Sequence, residues 1–224
     1  MSDKLSISHQ FIDDAFDPLR NDNIELLVHL GQGSISYAYF DGSLQRIVTL
    51  ESFSSEPNKQ QKALDQIFKD KEWKGKKFKA VKVIFENDYF SLIPTPLFEE
   101  KSLKEYINLN QEMLAELEFS YFSDPVTSLK IYNAYAIPVA DKMMVEDYFP
   151  SPNIRHHISV LADSLARHLQ QQPGEAGLFV NFRTNAIDIL YFKDLKLQFC
   201  KSFRNKTRED ILYHILHVAD HLKL

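Results

Sequence analysis

The stretch LVHLGQGSISYAYFDG (residues 27–42) has an echo far down the chain, LFVNFRTNAIDILYFKD at residues 178–194, and the two lie over each other without a gap. Val28 falls on Val180, Ile35 on Ile187, Tyr39 on Tyr191 and Phe40 on Phe192; the spacing is 152 throughout, the separation of His29 from Asn181. Each copy runs apolar, breaks at turn residues and returns apolar, the pattern of a β-hairpin. A third strand and a helix then follow in both places: 43–52 and 58–71 after the first copy, 195–203 and 207–223 after the second. Two aromatic hairpins can resemble each other by chance, but the shared strand–strand–strand–helix order favours duplication. A chain of 224 residues has room for one large domain or two small lobes, and the repeat divides it at 1–120 and 121–224.

The rest of the chain agrees with a mixed α/β fold. Asp41-Gly42 suits a hairpin turn. Ala63, Leu64 and Ile67 fall on one side of the helix at 58–71. Strands are expected at 79–85 and 89–94, joined by Glu86-Asn87-Asp88, then a helix at 97–109 and a short one near 111–117. A strand at 128–138 and helices at 139–148 and 156–172 follow, the last stopped by Pro173-Gly174. Strands are expected at 177–182 and 186–192, and Thr207 caps the closing helix with Glu209 and Asp210 in its first turn. Seventeen Phe and ten Tyr fit sheet packing. The net charge of −5 gives no pull toward nucleic acid or anionic membrane. A single cysteine, Cys200, forbids an internal disulfide. The leader MSDKLSISHQFIDDAFD lacks the apolar centre of a secretory signal, and no run nears the length of a membrane span, so a cytoplasmic location is expected.

The pieces LLVHLGQGSISYAYFD, KVIFENDYFSLIPTPLFEEKSLKEYI, IYNAYAIP and DILYFKDLKLQFCKSFRNKTREDILYHIL resemble the bacterial domain-of-unknown-function family 3822, and more distantly the actin-like proteins of type IV pilus and type II secretion machines. The resemblance implies the actin-like ATPase fold, two ribonuclease-H-like lobes. It also implies a further strand and helix after the last helix, so the second lobe is expected to be incomplete at Leu224. In active relatives each lobe opens with an Asp-x-Gly hairpin whose acids organise a metal and its water. Here the first reads His29-Leu30-Gly31 and the second Asn181-Phe182-Arg183, so both carboxylates are gone.

The candidate cofactor-binding residues are therefore His29, Gly31, Gln32, Gly33, Asn181 and Arg183, a degenerate pair of phosphate hairpins. Magnesium requires oxygen ligands, and imidazole suits softer metals. The lesser reading of the second hairpin keeps Arg183 as a cation for an anion. No catalytic residue, resident metal or cofactor is expected, and nucleotide binding is expected to be weak or absent. Other constellations read blandly. His214, His217 and His221 form a flank beside the apolar face of Ile211, Ile215, Val218, Ala219 and Leu222, without a second segment to complete a metal site. The seven lysines of 69–82, with Trp73 and Phe78 among them, read as a solvated basic loop more than a nucleic-acid surface. His156 and His157 cap or pack a helix start, Ser34, Ser36 and Cys200 have no base nearby, and Asp188 belongs to an exposed strand face. The function expected is a non-catalytic scaffold or adaptor for a protein partner or a second copy. The alternative is a nucleotide binder or slow phosphotransferase with atypical hairpins.

Overall fold

Alternation of apolar and polar residues builds the first sheet. The computed structural model of the chain describes residues 5–14, 23–55, 60–69, 78–110, 113–114, 116–149, 151–172 and 176–224. Strands β1 (Ser6–Ile12), β2 (Ile24–Gly31), β3 (Ser34–Asp41) and β4 (Arg46–Ser54) lead into helix α1 (Gln60–Lys69) and strand β5 (Ala80–Phe85). On β2 the odd partners Glu25, Leu27 and His29 are half-buried while Ile24, Leu26, Val28 and Leu30 are buried, the period-2 pattern of a strand with one face on a core. Asp41 draws the β3–β4 turn together by accepting from the N–H groups of Ser43 and Leu44 at 2.7 and 3.1 Å. That side-chain bond makes the turn longer than the two-residue one expected, and β4 starts at Arg46 rather than 43. β1 pairs with β4, so the described part of the leader edges the sheet.

The chain then leaves this sheet to form a smaller one from β6 (Phe90–Pro94), β7 (Phe119–Val126) and β8 (Ile131–Pro138), covered by α2 (Leu103–Asn110). It returns through α3 (Val139–Tyr148) to β9 (Asn153–His156), which joins β5 in parallel. The large sheet thus has the order β1-β4-β3-β2-β5-β9 and takes a strand from well past residue 120. Helix α4 (His157–Gln170) leads to β10 (Gly177–Phe182), β11 (Ala186–Lys193), β12 (Lys196–Arg204) and α5 (Arg208–Leu222). α4 packs on one face of this last sheet through Ala162, Ala166 and Leu169, and α5 on the other through Ile211, Ile215, Val218 and Leu222. No helix among the described residues is long and apolar enough to cross a membrane.

The duplication is carried by hydrogen-bond register. In the first copy Val28 faces Tyr37 and Leu30 faces Ile35; in the second, Val180 faces Ile189 and Phe182 faces Ile187, each 152 positions on. The ladder to the third strand shifts between Tyr39 and Phe40 in the first copy and between Tyr191 and Phe192 in the second. Matching bulges at matching positions tie the two hairpins together more firmly than residue identities do.

Four elements depart from expectation. β7 was hidden because Pro125 interrupts its pattern, and β9 because four residues carry too little periodicity. The helix at 97–109 narrows to α2, preceded by two short 3-10 turns. The short helix near 111–117 falls partly outside the described residues, and 116–118 are turn and coil. Thr207 caps α5 as expected: its hydroxyl accepts from the Asp210 N–H, and the Asp210 carboxylate accepts from the Thr207 N–H. Thr207→Ala is expected to lower the unfolding free energy by about 1 kcal/mol in urea denaturation.

Candidate functional site

The tips of the two equivalent hairpins meet. Gly33, in the β2–β3 turn, has φ +100°, a conformation natural to glycine. A Cβ placed on it would lie 3.2 Å from Cγ2 of Thr184, in the β10–β11 turn. The tips are thus in near-contact, and a cleft of about 870 Å³ opens beside them. His29, Gly33, Asn181 and Arg183 line it, so four of the six expected site residues come together. Gly31 sits just behind, its carbonyl accepting from Gln60 Nε2 at 2.7 Å, and Gln32 is half-buried in the turn outside the lining. The remaining wall is rich in hydroxyls, with Ser34, Ser36, Ser52, Ser54, Ser55 and Ser164.

His29 turns its imidazole toward Glu86, which follows β5, with Nε2 3.3 Å from the carboxylate. Burial alone would raise the Glu86 pKa; the hydrogen bond and charge of His29, with Arg183 and His157 nearby, outweigh it and hold Glu86 below its ordinary value.

Arg183 is paired with acids of the protein itself. Its side chain is 2 % exposed and its guanidinium is held between two acids, Asp88 at 2.6 Å and Asp188 at 3.1 Å. Arg204, from β12, pairs with the other oxygen of Asp88 at 3.0 Å. Asp88 belongs to the segment after β5, whereas Arg183, Asp188 and Arg204 belong to the second copy, so these pairs lash one unit to the other.

Asp188 corrects the expectation of an exposed strand face. It is fully buried, because β11 is the central strand of its sheet and this residue points beneath the start of α4. Its carboxylate accepts from Asn181 Nδ2 at 2.9 Å and from the Ser202 hydroxyl at 2.5 Å, and His157 Nε2 lies 3.1 Å away. Burial would push its pKa up; His157, Arg183 and Ser202 reverse that and hold it below the usual carboxylate range. Asn181 thus does structural work, donating to Asp188 across the hairpin.

Beneath this cluster His156 is wholly buried at the N-cap of α4. Its Nδ1 faces the N–H of Ile158 at 3.3 Å and the amide of Asn133 at 3.1 Å, so Nδ1 accepts and Nε2 carries the hydrogen directed at the Asn87 carbonyl, 3.2 Å away. Burial drives its pKa well below the ordinary value, and the nearby His157 and Arg183 add to this.

Sequence reasoning missed Glu86, Asp88 and Arg204 and treated Asp188 as surface. The available signal was position: Glu86 and Asp88 stand just beyond the C-terminal end of a parallel strand, where open α/β sheets place their sites. Elsewhere, His214 stacks on Phe203 at 4.7 Å and His217 on Tyr213 at 5.7 Å, on the flank of α5. Most of the basic loop, with Trp73, lies outside the described residues; Phe78 stacks on Tyr39 at 5.7 Å, Lys79 bonds Asn23 and Lys82 pairs with Glu25. Burial pushes the Cys200 thiol up, away from nucleophilic reactivity.

A family described as proteins of unknown function, DUF3822, matches residues 13–224. The chain belongs to that family. No curated protein sequence matches it. Among solved structures, this DUF3822 chain is similar to a protein of Bacteroides thetaiotaomicron with an actin-like ATPase fold and unknown function, with 17 % identity and a TM-score of 0.83 over 93 % of this chain and 80 % of that one. It is also similar to a chain of the PilM–PilN type IV pilus biogenesis complex, with 14 % identity and a TM-score of 0.51 over 89 % of this chain and 66 % of that one. The fold is therefore the actin-like ATPase fold, as the two superposable hairpins lead one to expect.

Proposed function

We propose that this DUF3822 protein is a cytoplasmic, non-catalytic scaffold that uses its two-lobed frame to hold a protein partner. The observation that carries the reading is the joint between the hairpin tips, where Arg183 bridges Asp88 and Asp188 and Thr184 closes on Gly33. In this fold the equivalent gap must offer free N–H groups, a free cation and carboxylate oxygens to a magnesium triphosphate. The residues present do not fit that group. The hairpin positions carry His29 and Asn181, the nearby acid Glu86 is engaged by His29, and Asp88 is engaged by two arginines. On this reading β9, a strand of the first sheet, goes with the first lobe, and α4 runs between the lobes. A neighbour of the same fold was solved as a PilM–PilN complex, which makes protein binding a reasonable use of the frame.

The rival reading is a nucleotide binder, favoured by the retained Gly31 and Gly33 and by the size of the cleft. Thermal unfolding with millimolar Mg-ATP separates the two. A ligand that binds only the native state raises Tm; the scaffold predicts an unchanged Tm, and a saturable rise would overturn it.

A further inference from the structure

Two strand edges face each other across a second hollow. β6 is the outermost strand of the order β6-β8-β7 and β12 of the order β10-β11-β12, so each has one ladder neighbour among the described residues. Their flanks line one groove of about 390 Å³, with Phe90, Ser91, Leu92 and Pro94 on one side and Leu197 through Ser202 on the other. Successive residues of a strand point to opposite faces, so a run of consecutive lining residues means that the groove follows the edge of β12 rather than one of its faces. That run, at about 3.3 Å per residue, is roughly 20 Å long, the length of a short strand. Such an edge presents N–H and C=O groups at ladder spacing.

The side chains define what would fit. Phe90, Leu92, Leu197 and Phe199 make the walls apolar, no carboxylate lines the groove, and its one charged residue is Lys201. Lys201 and Lys196 are exposed on the same strand and form no ion pair among the described residues. β12 carries Lys196, Lys201 and Arg204 and no acid, so the β12 edge of a second copy would bring only like charge to this one. An acidic strand meets the opposite situation.

We propose that this groove receives an extended segment of a partner protein, added as a strand between β6 and β12, with apolar side chains at alternate positions and carboxylates between them. The proposal rests on the reading of the chain as a holder of protein partners and names the surface and the partner's chemistry. Main-chain pairing supplies affinity, the apolar side chains of the alternation seat on the face of β12 that bears Leu197 and Cys200, and the carboxylates fall on the other face with Lys196 and Lys201.

The test is fluorescence anisotropy of the full chain with a library of dye-labelled octapeptides alternating Val, Ile or Leu with Asp or Glu, beside a matched library in which Lys replaces the acids. Acidic members should bind saturably, weaken with added salt, and lose about tenfold in affinity in Lys201→Glu, which should gain affinity for the Lys library. Gln198→Glu, also exposed, should act in the same direction, and neither change threatens folding. Hydrogen exchange should slow on β6 and β12. The proposal falls if neither library binds, if acidic peptides bind the wild type and Lys201→Glu alike, or if protection appears on β10 or α5 instead. A concentration-dependent dimer protected at β12 makes a second copy the occupant and overturns it as well. None of these outcomes alters the Mg-ATP result, so the two readings fail separately.

Discussion

Arg183→Met is expected to cost about 3–5 kcal/mol of stability, the range for removing one partner of a buried ion pair. The guanidinium is buried, and the acids on either side of it are 9 % and 0 % exposed as side chains. Without it, Asp88 retains Arg204, whose side chain is 74 % exposed, while Asp188 retains His157, Asn181 and Ser202. The uncompensated charge, not the lost attraction, sets the size of the effect. The check is the urea midpoint at constant m-value. The combination Arg183→Met, Asp88→Asn, Asp188→Asn should recover much of the loss, because a well-packed neutral cluster tolerates burial better than a broken ionic one. Arg204→Met should cost less than about 1 kcal/mol, as exposed pairs do. If Arg183→Met costs no more than Arg204→Met, the guanidinium is solvated and the joint between the lobes is not closed.

Stability should also decline on mild acidification, beginning near pH 6.5. His156 is neutral in the fold with its pKa depressed, first by burial and then by His157, whose ring lies 4.5 Å away. The unfolded chain therefore binds a proton before the folded chain does. Its contribution is complete above about pH 6.5 and drains as pH falls toward the folded value, at about 1.4 kcal/mol per pH unit for one proton. Asp188 and Glu86, both held below their ordinary values, add their own loss once pH drops under about 4. Urea unfolding at pH 7, 6 and 5 tests the first limb. His156→Gln should be less stable at pH 7, having lost the hydrogen bond to Asn87, but should flatten between pH 7 and 5. A wild-type protein equally stable at pH 7 and 5 would mean that His156 meets solvent.

The two predictions bear on one question, which is what holds the lobes. The Arg183 joint and the His156 core lie side by side, through Asn87 and Asp88 on one segment and through His156 and His157 on another. A loss at either should loosen the cleft, and with it the frame that the proposed partner grips.

Much of the frame was legible in local pattern. The hairpins at 24–41 and 177–193, the helix bearing Ala63, Leu64 and Ile67, and the Thr207 cap all announce themselves, because period, turn chemistry and capping act over a few neighbouring residues. The repeat was legible for the same reason: equal patterns fold to equal registers, down to the bulges after Tyr39 and Tyr191. That His29 and Asn181 stand where active relatives of this fold carry acids is what the resemblance implied. The occupants of the joint were not. An aspartate on a strand is solvated or buried according to what packs over it, and what packs over Asp188 is His157, 31 residues away, while Arg183 finds Asp88 across 95. The facing edges of β6 and β12 likewise arise only when two sheets distant in sequence are set side by side. Charge pairing and groove formation are through-space effects, and chain order does not record which segments come to lie within a few ångströms of each other.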